Sequence, residues 1–145
     1  MDLRVGRCIM DIYNVYTDGS SVMGKYGGYA CMFLDTGEIM SGRCMATNQL
    51  AEMLAIELAF IFAPDNCKLV ISSDSAFAIH AISGRWNLSQ SKHLLDVRNR
   101  IDDYSIKKHI SYKFVKVAGH SSDKFNRMVD SAAQREARIL NSEML

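Results

Sequence analysis

The chain has 145 residues, 48% apolar and 23% charged, which suits one domain with a sizeable core and argues against a disordered chain. The apolar runs are too short to cross a bilayer. The opening Met1-Asp2-Leu3-Arg4 lacks the apolar centre of a secretory leader, and Cys8, Cys31, Cys44 and Cys67 show no paired zinc-ligand spacing, so we expect a cytoplasmic protein without structural zinc.

The net charge of +1 hides an asymmetry. Residues 1–75 carry five Lys/Arg against nine Asp/Glu, and residues 76–145 carry twelve against seven. An acidic half beside a basic half suits a polyanionic partner, and equally a scattered, solvated surface.

With one proline and no linker or repeat, residues 1–145 are expected to form a single domain. Residues 8–17, rich in Ile, Tyr and Val, predict a strand that ends just before Asp18. Gly27-Gly28 opens a second strand over Tyr29 to Leu34, Asp35-Thr36-Gly37 is a tight turn, and Glu38 to Met45 predicts a third strand. Thr47 is a helix N-cap for residues 48–62, where Leu50, Met53, Leu54, Leu58 and Ile61 recur at helical spacing. Lys68 to Ser73 is a β-branched run fit for a central strand. Further helices are predicted over residues 76–82, 92–103 and 123–140, with a strand over 109–117 between the last two. The order β-β-β-α-β-α-α-β-α implies an α/β mixed sheet with helices on its faces.

Four carboxylates stand in distinctive contexts. Asp18 follows a strand in Tyr-Thr-Asp-Gly-Ser, Asp74 follows another in Ser-Ser-Asp-Ser, Glu52 lies one turn into the first long helix, and Asp130 sits on an apolar stretch of the last. Three have an ordinary reading, Asp18 as a turn aspartate, Asp74 as a helix cap and Glu52 as a first-turn glutamate; Asp130, near an apolar face, is less easily dismissed. Gathered together they would need a cation to hold them. His120, in a Gly-His-Ser loop, is placed either to shuttle a proton or simply to face solvent. Glu57 reads as structural or solvated. His80, His93 and His109 read as packing or surface residues, and Trp86 as a hydrophobic plug or a base-stacking ring.

Taken together, Tyr-Thr-Asp-Gly-Ser, Gly-Gly-Tyr-Ala, Thr-Asn-Gln-x-x-Glu, Ser-Asp-Ser and Gly-His-Ser-x-x-x-x-Asn-x-x-x-Asp resemble type 1 ribonuclease H over residues 10–138. The resemblance implies a ribonuclease H-like fold, a five-stranded mixed sheet in the order 3-2-1-4-5 flanked by helices. It implies hydrolysis of the RNA strand of an RNA/DNA hybrid by two Mg²⁺ or Mn²⁺ ions, leaving 5′-phosphate and 3′-hydroxyl ends. Asp18, Glu52, Asp74 and Asp130 would be the metal-binding carboxylates and His120 the proton-transfer residue. Gly19, Ser20, Thr47, Asn48 and Gln49 would touch the hybrid, with Asn126 behind the site. Two departures stand out. Many relatives have a long basic protrusion where this chain has only residues 84–92, which points to a protein partner or another surface for substrate grip. An arginine expected just before the Thr-Asn segment is displaced, with Arg43 two places early and Met45 in its slot. A monomer is expected. A DNA nuclease or resolvase of related fold, a non-catalytic hybrid-binding module, and a domain of a larger polymerase are the alternatives.

Overall fold

The computed structural model describes residues 10–84, 86–119 and 122–145. Five strands, β1 (Asp11–Val22), β2 (Tyr26–Phe33), β3 (Glu38–Met45), β4 (Cys67–Ser73) and β5 (Ser111–Lys116), form one sheet in the order β3-β2-β1-β4-β5. The helices are α1 (Asn48–Phe62), α2 (Ala76–Ile82), α3 (Lys92–Lys107) and α4 (Lys124–Glu143). β1, β2 and β3 pair antiparallel as a meander. β4 joins β1 in parallel and β5 joins β4 in parallel. The mixed character is as the patterning implies, and the strand order is as the resemblance implies.

Alternation assigns the two faces. Val15, Cys31, Leu69 and Ile71 point one way and pack with Met53, Ile56 and Phe60 of α1 and Val97 and Ile101 of α3. Ala30 and Met32 point the other way, against Val129 and Ala133 of α4. Serine or threonine caps α1, α2 and α3: Thr47, Ser75 and Ser91 each accept from the N–H three residues on. Asp123 caps α4. At the far end of α1, the Lys108 ammonium donates to the Phe60 and Ile61 carbonyls at 2.8 and 2.9 Å, as suits a cation at a helix C-terminus.

Two boundaries near the carboxylates differ from expectation. β1 does not stop at Thr17. It runs to Val22, so Asp18 is mid-strand, opposite Ala30, rather than where the chain leaves the sheet. β2 correspondingly starts at Tyr26, and Gly27-Gly28 lie inside it. The hairpin turn lies further out, at Met23 and Gly24, both with positive φ. Gly28 is demanded by packing, since a methyl there would collide with the Ala133 carbonyl of α4.

Glu57 is structural. It is only 6% exposed, and Arg100 of α3 donates to both its oxygens, at 2.5 and 3.0 Å. Trp86 lies edge-on to Phe77 and stacks on His80, with centroids 5.1 and 5.4 Å away; His93 and His109 are exposed. Cys31 and Cys67 are buried free thiols and Cys44 is half-buried; Cys8 lies outside the described residues. Among the described residues no helix is long and apolar enough to cross a membrane.

Candidate active site

The expected carboxylates converge. Ligand oxygens of Asp18, Glu52 and Asp74 all lie within 4.8 Å of one another. Asp130 lines the same cleft, of about 360 Å³, with Gly19, Ser20, Asn48, Gln49 and Ser75.

Each acid is delivered by a different element. Asp18 comes from the middle of β1, the central strand. Asp74 directly follows β4, which runs parallel to β1. Glu52 comes from the second turn of α1, which crosses very close to β1. Gly19 permits that crossing, because a methyl there would overlap the Ala51–Glu52 backbone. The Gly19 N–H donates to Glu52 Oε1, and also to Asp18 Oδ1 at 3.0 Å. Asp130 comes from α4, and the Gln134 amide one turn later donates to its oxygens at 3.2 and 3.0 Å.

The electrostatics are those of carboxylates that could hold a cation. Burial pushes the Asp18 carboxyl far above the ordinary carboxylate range, and hydrogen bonding with Glu52 and the charges of Glu52 and Asp74 push the same way. Burial also raises Glu52, opposed by its hydrogen bond with Asp18; the Asp74 charge adds to the rise, and Gly19 and Ser75 oppose it. Among the described residues, no Lys or Arg lines the cleft. The donors are all oxygen, which suits Mg²⁺ or Mn²⁺ and not zinc.

The other anticipated residues divide. Asn48 and Gln49 line the cleft beside Gly19 and Ser20. The Thr47 hydroxyl is engaged by the Leu50 N–H at 3.2 Å. Asn126 is buried in the first turn of α4, its N–H donating to the Asp123 side chain at 3.2 Å. His120 lies outside the described residues, although Gly119 before it comes close to Asp74: a Cβ on Gly119 would lie 3.6 Å from Asp74 Oδ2. Arg43 points to the α4 side of β3. Its guanidinium meets Glu136 at 2.7 Å and Glu143 at 3.0 Å, so it is engaged away from the cleft.

Two residues were not anticipated. Ser75 lines the cleft with Glu52 and caps α2; its place beside Asp74 was the available signal. Tyr16, two residues before Asp18 and on the same strand face, donates its hydroxyl to Asp123 Oδ2 at 2.7 Å, tying β1 to the start of α4. No local pattern links those two residues.

A family model for RNase H matches residues 10–138. The chain is 30% identical over 137 residues to a ribonuclease H of Clostridium botulinum, covering 82% of this chain and 91% of that one. It is 30% identical over 135 residues to a ribonuclease H of Caldicellulosiruptor saccharolyticus, covering 83% and 92%. Among solved structures, the N-terminal RNase H domain of a Mycobacterium tuberculosis protein, determined as a fusion with maltose-binding protein, superposes with a TM-score of 0.72 at 18% identity, over 93% of this chain and 99% of that one. With its sheet order, its gathered acids and a family match over all but the chain's two ends, this protein belongs to the ribonuclease H family and is a ribonuclease H enzyme.

Proposed function

We propose that the protein cleaves the RNA strand of RNA/DNA hybrids at the carboxylate cleft, leaving 5′-phosphate and 3′-hydroxyl ends. The observation that carries this reading is the convergence of Asp18, Glu52 and Asp74 within 4.8 Å, with Asp130 in the same cleft and no described cation lining it.

Asp18, Glu52, Asp74 and Asp130 would hold a pair of divalent ions, Mg²⁺ or Mn²⁺. When bound, such a pair supplies an activated water and charge stabilisation for the leaving oxygen. The chain's own residues do the rest. Asp18 and Glu52, fixed through the shared Gly19 N–H, keep their oxygens aimed at one point. Gln134 restrains Asp130 through its amide hydrogen bonds. Asn48 and Gln49 at the start of α1, with Gly19 and Ser20, offer amide and backbone groups to the sugar-phosphate chains. Recognition of RNA rests there on its 2′-hydroxyls and on duplex shape, which predicts weak sequence preference. His120 would move a proton during turnover.

The test is a labelled RNA/DNA duplex, run beside duplex DNA, duplex RNA and a four-way junction, with Mg²⁺, Mn²⁺ or EDTA. Only the hybrid is cut, and EDTA stops it. Asp74→Asn abolishes cutting while the fold survives, and His120→Ala slows it. Cleavage of the junction or of duplex DNA instead would overturn the substrate assignment, and full activity in Asp74→Asn would overturn the site.

A further inference from the structure

The cleft leaves a physical problem. A hybrid is a dense polyanion, with about one charge per 1.7 Å of duplex axis for B-form DNA, yet no described cation lines the cleft. Several obvious cations are engaged elsewhere. Arg43 is held by Glu136 and Glu143, Arg100 by Glu57, Lys108 by the end of α1, and Arg98 by the Ala81 and Trp86 carbonyls at 3.0 and 3.1 Å.

α4 differs. Lys124, Arg127, Arg135 and Arg138 are all exposed, and at about 100° per residue they fall within roughly an 80° arc. That arc lies opposite the buried Asn126, Val129, Ala133 and Ala137. Asp130 flanks it on one side. Glu136 and Glu143 lie on the other, drawn toward Arg43 of β3. The arc itself contains no acid. Among the described residues, none of its four cations is in an ion pair; Arg127 donates to the Ser122 carbonyl and Lys124 lies over the Phe125 ring.

This arrangement costs the helix. Lys124 and Arg127 occupy its N-terminal end, where the macrodipole disfavours cations, and Arg127 is partly offset by the charge of the Asp123 cap. Lys124/Arg127 and Arg135/Arg138 are like-charged pairs three apart, which repel. A bound polyanion would relieve both penalties. The arc runs about 21 Å along the helix, the length of roughly six base pairs, and brackets Asp130, with Arg127 three residues before it and Arg135 five after.

We propose that this outward arc of α4 is a second track for substrate phosphates, gripping the duplex beyond the cleft. The proposal rests on the hybrid-cleaving reading above. A phosphate track responds to salt, so the test is the salt dependence of kcat/KM for the full chain on a hybrid of about 20 base pairs, at fixed Mg²⁺. The quadruple variant Lys124→Gln, Arg127→Gln, Arg135→Gln, Arg138→Gln should flatten the slope of log(kcat/KM) against log[salt] by about 3 to 4, at about 0.9 per phosphate contact. Across a fourfold rise in salt, wild type then loses about 100-fold more than the variant. Arg127→Lys, Arg135→Lys, Arg138→Lys together should keep the wild-type slope, because charge is retained. The pair Arg135→Gln, Arg138→Gln should lower the slope by about 2, and the matched pair Lys107→Gln, Lys113→Gln should not. An unchanged slope in the quadruple variant overturns the proposal, and is the result expected if the arc serves an acidic polypeptide or only solvent. Equal losses in the lysine and glutamine variants overturn it too. A wild-type chain that cuts no hybrid would instead sink the reading of the cleft, a distinguishable failure.

Discussion

Asp18→Asn is expected to abolish cleavage and yet, without metal, to stabilise the protein. Asp18 is 4% exposed, and burial, Glu52 and Asp74 all raise its carboxyl pKa. A carboxyl raised on folding lends stability that is complete below its unfolded value, near 4, and is lost as pH climbs toward the folded value. One proton kept by the folded chain and released by the unfolded one is worth about 1.4 kcal/mol per pH unit, or ~4 kcal/mol from about pH 5 to pH 8. Relaxation and water entry reduce this, and ~2 kcal/mol is a fair working figure. A chain of this size unfolds with an entropy of about 0.3 kcal/mol per degree, so Tm in EDTA should fall by about 7 °C over that range. Asp18→Asn removes one of the two raised carboxyls. It should show a shallower fall, from Glu52 alone, and melt above wild type at the alkaline end. Mg²⁺ should reverse the order, because an ion bound only by the folded carboxylates raises wild-type stability and leaves the variant nearly unmoved. Scanning calorimetry at constant ionic strength, with EDTA or Mg²⁺, reads all of this. Identical pH slopes in EDTA, or a variant less stable than wild type at the alkaline end, would refute the reasoning.

The ion pair between α1 and α3 should be asymmetric. Arg100→Met strands the buried Glu57 carboxylate and should cost ~3 kcal/mol in urea unfolding, whereas Glu57→Gln lets the half-exposed Arg100 return to water and should cost ~1 kcal/mol; equal costs would argue against a buried acid. Gly28→Ala forces α4 off the sheet at Ala133, so a loss of about 3 kcal/mol should be accompanied by loss of cleavage as Asp130 shifts, and a variant that melts like wild type contradicts the packing. Alkylation mapped by peptide mass spectrometry should label Cys44 well before Cys31, whose thiol burial pushes up to about 12; faster labelling of Cys31 would deny its burial. Arg43→Ala should leave KM for the hybrid within about twofold of wild type, because its guanidinium faces Glu136 and Glu143 rather than the cleft.

The meander, the central parallel strand and the helices were legible because each has a strong period or a clean cap: Val15, Leu69 and Ile71 alternate, and Thr47 caps α1 where expected. The end of β1 was not legible. Gly19-Ser20-Ser21 has the composition of a turn, and only pairing with Tyr29, Gly28 and Gly27 of β2 holds it extended, a tertiary effect that overrides local preference. The direction of Arg43 was recoverable from alternation, since it shares a strand face with Ile39 and Ser41. Its partners were not, being 93 and 100 residues away. The same holds for Glu57 and Arg100, which no local pattern connects. The site acids became readable only as a set, because three of the contexts by themselves are those of a turn, a cap and a first-turn glutamate.

Why four separate elements deliver their acids to one point follows from register. Tyr16 pairs with Ser72 across the parallel β1–β4 ladder. Two residues further along each chain come Asp18, within β1, and Asp74, just past the end of β4, so the ladder carries the two acids side by side. Glu52 is fixed against them by the α1 backbone seated on Gly19, and Asp130 by the α4 backbone seated on Gly28. A slip of one residue between β4 and β1 would turn Asp74 away from Asp18, and the same slip would expose Leu69 and Ile71 and bury Lys68 and Val70 in their place. The apolar alternation that secures the core therefore also secures the site. The repulsion among the gathered acids is borne by that core, which is why removing one of them should strengthen the metal-free fold while ending its chemistry.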